Sequence, residues 1–108
     1  MPPLCTVDVT PIGTLHVVRL VGEIDLSNVG QIESRLTTAL HDVDVAVIDL
    51  SDLAYVDSSG LGMLERLARK VAVRLVVPDG AIVARTLHVT GLDQLVPTFG
   101  TREEAVNG

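Results

Sequence analysis

The chain has 108 residues, a net charge of −6 and 47% apolar residues, which suits one domain with one core and excludes intrinsic disorder. Eight Lys and Arg against fourteen Asp and Glu, with 2% aromatics, leave neither a basic stripe for phosphates nor platforms for base stacking, so direct nucleic-acid binding is excluded. No apolar run is long enough for a membrane-inserted span.

Leu4–Thr10 alternates loosely, Pro11-Ile12-Gly13 reads as a turn, and Leu15–Val21 is β-branched and strand-like with Gly22 at its end. A hairpin with Pro11 and Gly13 at its tip is expected. Cys5 is the single cysteine, so an internal disulfide is excluded and a semi-buried thiol in a reducing compartment is expected, with a redox or dimerising thiol as the alternative. The N-terminus lacks the basic start and apolar run of a secretion signal, which makes the cytoplasm the expected location.

After Gly22-Glu23-Ile24-Asp25 the period changes. Val29, Ile32, Leu36 and Leu40 recur at helical steps, with Asp25 or Ser27 placed to cap the helix. Val45–Leu50 is a nearly continuous apolar run, as in a strand buried on both faces, and Ser51–Val56 leads onward. Asp42, Asp44 and Asp49 read as solvated acids around it. Asp57-Ser58-Ser59-Gly60 opens a second helix with Leu61, Leu64, Leu67 and Ala68 facing inward. Val71–Val77 is a further strand, Ala81–Val89 a third helix ended by Gly91-Leu92, and Glu103–Val106 a short terminal helix. The order is β-β-α-β-α-β-α. It predicts an α/β fold in which a small mixed sheet of four to five strands carries helices mainly on one face, in a single domain over residues 1–108.

The chemistry concentrates at Asp57-Ser58-Ser59-Gly60-Leu61-Gly62. A helix start presents unpaired N–H groups and the positive end of the dipole, which suit a capping hydroxyl or a phosphate carried on one. Gly60 and Gly62 remove side chains where another backbone could approach. The same residues also suit ordinary capping. The phosphate-loop pattern Gly-x4-Gly-Lys-Ser/Thr and the nucleophile elbow Gly-x-Ser-x-Gly are both missing. His16, His41 and His88 are scattered, so neither a metal nor another cofactor is expected, and neither serine has a general base close in sequence. An enzyme is not expected.

This hexapeptide, with Leu50–Val56 leading into it, resembles the signature of the STAS domain, specifically of bacterial anti-sigma factor antagonists. Gly22-Glu23-Ile24-Asp25 resembles that family's loop before the first helix, and Thr90-Gly91-Leu92-Asp93 its turn after the third. The resemblance implies a partner-switching protein. Unphosphorylated, it would bind an anti-sigma factor that is also a serine kinase; phosphorylation at Ser58 would end binding, and a serine phosphatase would restore it. The expected partner-binding residues are Gly22, Asp25, Ser27, Asn28, Asp57, Ser59, Gly60, Leu61, Gly62 and Met63. A related role in the family is as an accessory subunit of membrane lipid-transport ATPases. The chain departs from the family pattern at Lys70-Val71, where glycines are usual, and its second helix is expected to be about one turn short.

Overall fold

Five strands form one mixed sheet in the order β1-β2-β3-β4-β5, in a computed structural model that describes residues 3–108. β1 (Cys5–Ile12) and β2 (Leu15–Ile24) are the expected hairpin, with Cys5 opposite Gly22 and Ile12 opposite Leu15. Its tip is tighter than the sequence suggests. Pro11 pairs with His16 inside the ladder, which leaves Gly13 and Thr14 as the connection. A proline is tolerated there because β1 lies at the sheet edge.

β2 also continues past Gly22, its expected end, to Ile24. Gly22 has φ +116°, and a Cβ there would lie 2.2 Å from the Leu4 carbonyl oxygen. The pairing of β2 with its neighbour shifts register at this point. Gly22 is thus a bend in a continuing strand, which only a glycine tolerates at that φ.

β2 runs parallel to β3 (Val45–Val56), β3 to β4 (Ala72–Val76), and β4 to β5 (Thr98–Phe99). β3 includes the Ser51–Val56 stretch, because Leu53 and Val56 continue the inward-facing row. The two-residue β5 has no sequence signal of its own. It forms because the Leu75 and Val77 amides donate to the Pro97 and Phe99 carbonyls.

Helices α1 (Val29–Ala39), α2 (Ser58–Ala68), α3 (Ala84–Thr90) and α4 (Leu92–Leu95) cover one face. Ile32, Leu36, Leu64, Leu67, Leu87 and Leu92 pack there against Val18, Leu20, Ile48 and Leu75. α2 has eleven residues, as many as α1, or about three turns. The Lys70 and Val71 amides both donate to the Leu67 carbonyl, closing the turn without a glycine.

The other face is covered by α5 (Arg102–Asn107), whose Ala105 and Val106 meet Val17, Val47 and Val76. Polar anchors hold its two ends. Arg102 donates to Asp49 at 2.7 and 3.2 Å, and Arg74 donates to the Ala105 carbonyl at 2.9 Å. Asp49 is therefore not a solvated loop acid; it is a β3 residue with 6% of its surface exposed. Burial alone would raise its pKa, but hydrogen bonds from Ser51 and Arg102 outweigh burial and hold it below the usual carboxylate value. Cys5 is buried, and that burial raises its thiol pKa.

Candidate functional site

The parallel strands β2 and β3 end side by side, with Ile24 opposite Val56, and the chain emerging from β3 enters α2 directly. Ligands of open α/β sheets collect at this carboxyl edge. Asp57 bridges the two elements: its amide donates to the Ile24 carbonyl at 3.2 Å, and its side chain turns toward α2.

Asp57, rather than a serine hydroxyl, caps the helix. Its Oδ1 accepts from the Ser59 amide at 2.9 Å, from the Gly60 amide at 3.1 Å and from the Ser59 hydroxyl. The Leu26 amide of the β2–α1 loop also faces the carboxylate and favours its charged form. The Ser59 hydroxyl foremost, and the amides after it, hold the Asp57 carboxyl below its usual pKa.

The two adjacent serines are thereby made unlike. Ser59 is half-buried and its proton is committed to Asp57. Ser58, the first residue of α2, is exposed, and among the described residues its hydroxyl meets no hydrogen-bond partner. Of the two, Ser58 is the hydroxyl an incoming reagent can reach.

The β2–α1 loop forms the neighbouring wall and is closed by its own side chains. Asp25 accepts from the amide and hydroxyl of Ser27, so neither residue caps α1 as the sequence suggests. Asn28 takes the N-cap position without a side-chain cap bond. Its amide group instead accepts from the Asp25 N–H and donates to the Glu23 carbonyl, both at 2.9 Å. Leu26 is left outermost, 79% exposed.

The remaining expected contact residues divide by burial. Met63 is wholly inaccessible and belongs to the core, since it falls with Gly60 and Leu67 on the inward stripe of α2. Gly60 is buried as well. A Cβ there would stand 2.4 Å from Val56 Cγ2 and 3.1 Å from Ile24 Cγ2, so this glycine serves helix-on-sheet packing. Gly62 and the edge of Leu61 reach a surface groove, which Ser58 and Glu65 share on the α2 side and Thr90, Leu92 and Leu95 wall on the other. Leu26 and Leu95, 70% exposed, were not singled out from sequence. Leu26 carries one local signal, an apolar residue inside a polar loop. Leu95 is brought beside Ser58 by tertiary packing alone.

A family profile described as STAS domain matches residues 6–105. The chain is 32% identical over 111 residues to the anti-sigma-F factor antagonist RsfB of Mycobacterium tuberculosis, covering 99% of this chain and 91% of that protein. Among solved structures, an anti-sigma factor antagonist from Mycobacterium paratuberculosis superposes with a TM-score of 0.87 at 29% identity, over 95% of this chain and 92% of that one. The Bacillus cell fate determinant SpoIIAA in its phosphorylated form superposes with a TM-score of 0.64 at 27% identity, over 94% of this chain and 97% of that one.

Proposed function

The chain belongs to the STAS domain family, and on that premise we propose that it is a cytoplasmic anti-sigma factor antagonist switched at Ser58. Unphosphorylated, it binds an anti-sigma factor with serine kinase activity and so frees a sigma factor. The kinase phosphorylates Ser58, the complex separates, and a serine phosphatase restores the binding form. The protein itself is a binding module rather than an enzyme. The observation that carries this reading is the contrast at the start of α2, where Ser58 is exposed with its hydroxyl unengaged while Ser59 is tied to Asp57.

The physics of the switch is local. A phosphate adds roughly −1.5 to −2 charges at neutral pH, close to the amide end of α2, which tolerates it in the free protein. In a complex the same group must lose water beside the ionised Asp57. A hundredfold loss of affinity needs about 2.7 kcal/mol, well within the cost of burying an unpaired dianion.

The test is calorimetric titration of the unmodified and the phosphorylated chain against the anti-sigma factor kinases of the source genome. The unmodified chain is expected to bind one of them, with the phosphorylated chain at least about a hundredfold weaker. Equal affinities would sink the proposal. An accessory subunit of a lipid-transport ATPase would instead co-purify with its ATPase and take no phosphate.

A further inference from the structure

We propose that Glu33 and Arg66 are positioning residues, whose ion pair clasps α1 to α2 and so sets the β2–α1 loop beside Ser58 for the kinase. The inference rests on the antagonist reading and adds to it two residues that touch neither serine. Arg66 donates to Glu33 through Nε at 2.9 Å and Nη2 at 2.8 Å, the two-pronged geometry that orients an arginine–carboxylate pair most firmly. Among the described residues it is the one ion pair between the two helices. The same hydrogen bonds hold the Glu33 carboxyl below its usual pKa. Gly62 gives the guanidinium room. Ser58, Gly62 and Arg66 follow at four-residue steps along α2, and the Arg66 side chain leans back toward the helix start. A Cβ at Gly62 would stand 3.3 Å from Arg66 Nη1, so the clasp lies over α2 about one turn from Ser58.

The start of α1 is what calls for such a clasp. Asn28 stands at its N-cap with no side-chain cap bond, because its amide group is engaged by Asp25 and Glu23. The first turn contains Gly30 and no acidic residue, so neither helix propensity nor the dipole favours it. Ile32 anchors the inward side of this turn in the core, and the Glu33–Arg66 pair anchors it sideways to α2. The loop that carries Asp25 and Asn28 leads directly into the same turn. Where that turn sits therefore decides where the loop sits relative to Ser58.

The experiment compares wild type with Glu33→Gln, Arg66→Gln, the double variant and Arg69→Gln. The last is a control that breaks the Glu65–Arg69 pair, which lies within α2 and does not touch α1. Two quantities are measured: amide hydrogen exchange in the first turn of α1, and steady-state phosphorylation of Ser58 by the anti-sigma factor kinase. Each single variant is expected to speed exchange of the Ile32 amide, which donates to the Asn28 carbonyl, by about fivefold. KM should rise by a similar factor with kcat unchanged, since the bound kinase itself holds the loop in place. The double variant should be no worse than either single one, and Arg69→Gln should match wild type. Unchanged exchange in the single variants overturns the proposal, as does faster exchange with KM unchanged, and either result leaves the antagonist reading standing. Effects that add in the double variant, or that Arg69→Gln reproduces, also overturn it, because loss of single charges rather than of the pair would be the cause. Wild type left unphosphorylated on Ser58 by every kinase of the source genome overturns both readings.

Discussion

At Asp49 and at Asp57 the same local arrangement recurs: the carboxylate accepts from the amide and the hydroxyl of the serine two residues on. Asp49 lies within the sheet, its second oxygen held by Arg102, and the residue between, Leu50, is buried. Asp57 stands at a helix start where, among the described residues, its carboxylate accepts from amides and a hydroxyl rather than a cation, and the residue between, Ser58, is exposed. The motif itself therefore has no fixed role. Where it encloses a core residue and meets a cation, it anchors α5 to the sheet. Where it encloses an exposed hydroxyl, it fixes the backbone that presents that hydroxyl at the surface.

Negative charge placed in the two turns should separate these roles most sharply. Ser58→Glu is expected to lower affinity for the anti-sigma factor at least about a hundredfold while leaving the melting temperature near wild type. Ser51→Glu should do the reverse, lowering the melting temperature because it breaks the Asp49 lock, with affinity retained. Calorimetric titration and thermal melts on both variants check the pair.

A smaller effect comes from the cation. Asp49→Ala removes one partner of an ion pair whose arginine is about half exposed, so the loss is expected near 2 kcal/mol, less than for a fully buried pair. The pH dependence follows from the sign of the shift. The folded-state pKa of Asp49 lies below its unfolded value, so its contribution is complete above about pH 4 and fades as pH falls through the folded value. Urea melts should show wild type and Asp49→Asn well apart at pH 7 and converging in stronger acid. A constant gap down to acid would mean that Asp49 contributes by packing rather than by charge.

Removing the Asp57 carboxylate is expected to alter selectivity more than stability. Asp57→Ala releases the Ser59 hydroxyl, so a kinase that labels Ser58 in wild type should now also label Ser59, with a melting temperature reduced less than in Asp49→Ala. Peptide mapping of the labelled protein checks this. The smallest change belongs to Ser59→Ala, whose hydroxyl contributes a single hydrogen bond to an already well-served carboxylate. Its affinity should equal that of wild type.

Much of this molecule is legible in the sequence because its signals are local. The Ile32, Leu36 and Leu40 stripe marks a helix, Val45–Leu50 a central strand, and Asp57 through Gly62 a strand-to-helix junction. What escapes has a nonlocal cause. β5 exists through hydrogen bonds to β4, and nothing within its two residues announces it. Asp49 reads as a solvated acid until Arg102, fifty-three positions away, is seen to cover it. Met63 looks available for contact because its helix is, yet the helical phase turns it inward. Ser58 and Ser59 are identical in chemistry, and only the direction of the Asp57 carboxylate separates them.

That separation is best measured by mass-spectrometric mapping of the full chain after incubation with ATP and the anti-sigma factor kinase it binds. A single phosphate on Ser58 is the expected result. An unmodified chain, or a phosphate on Ser59 in the wild-type protein, would contradict it.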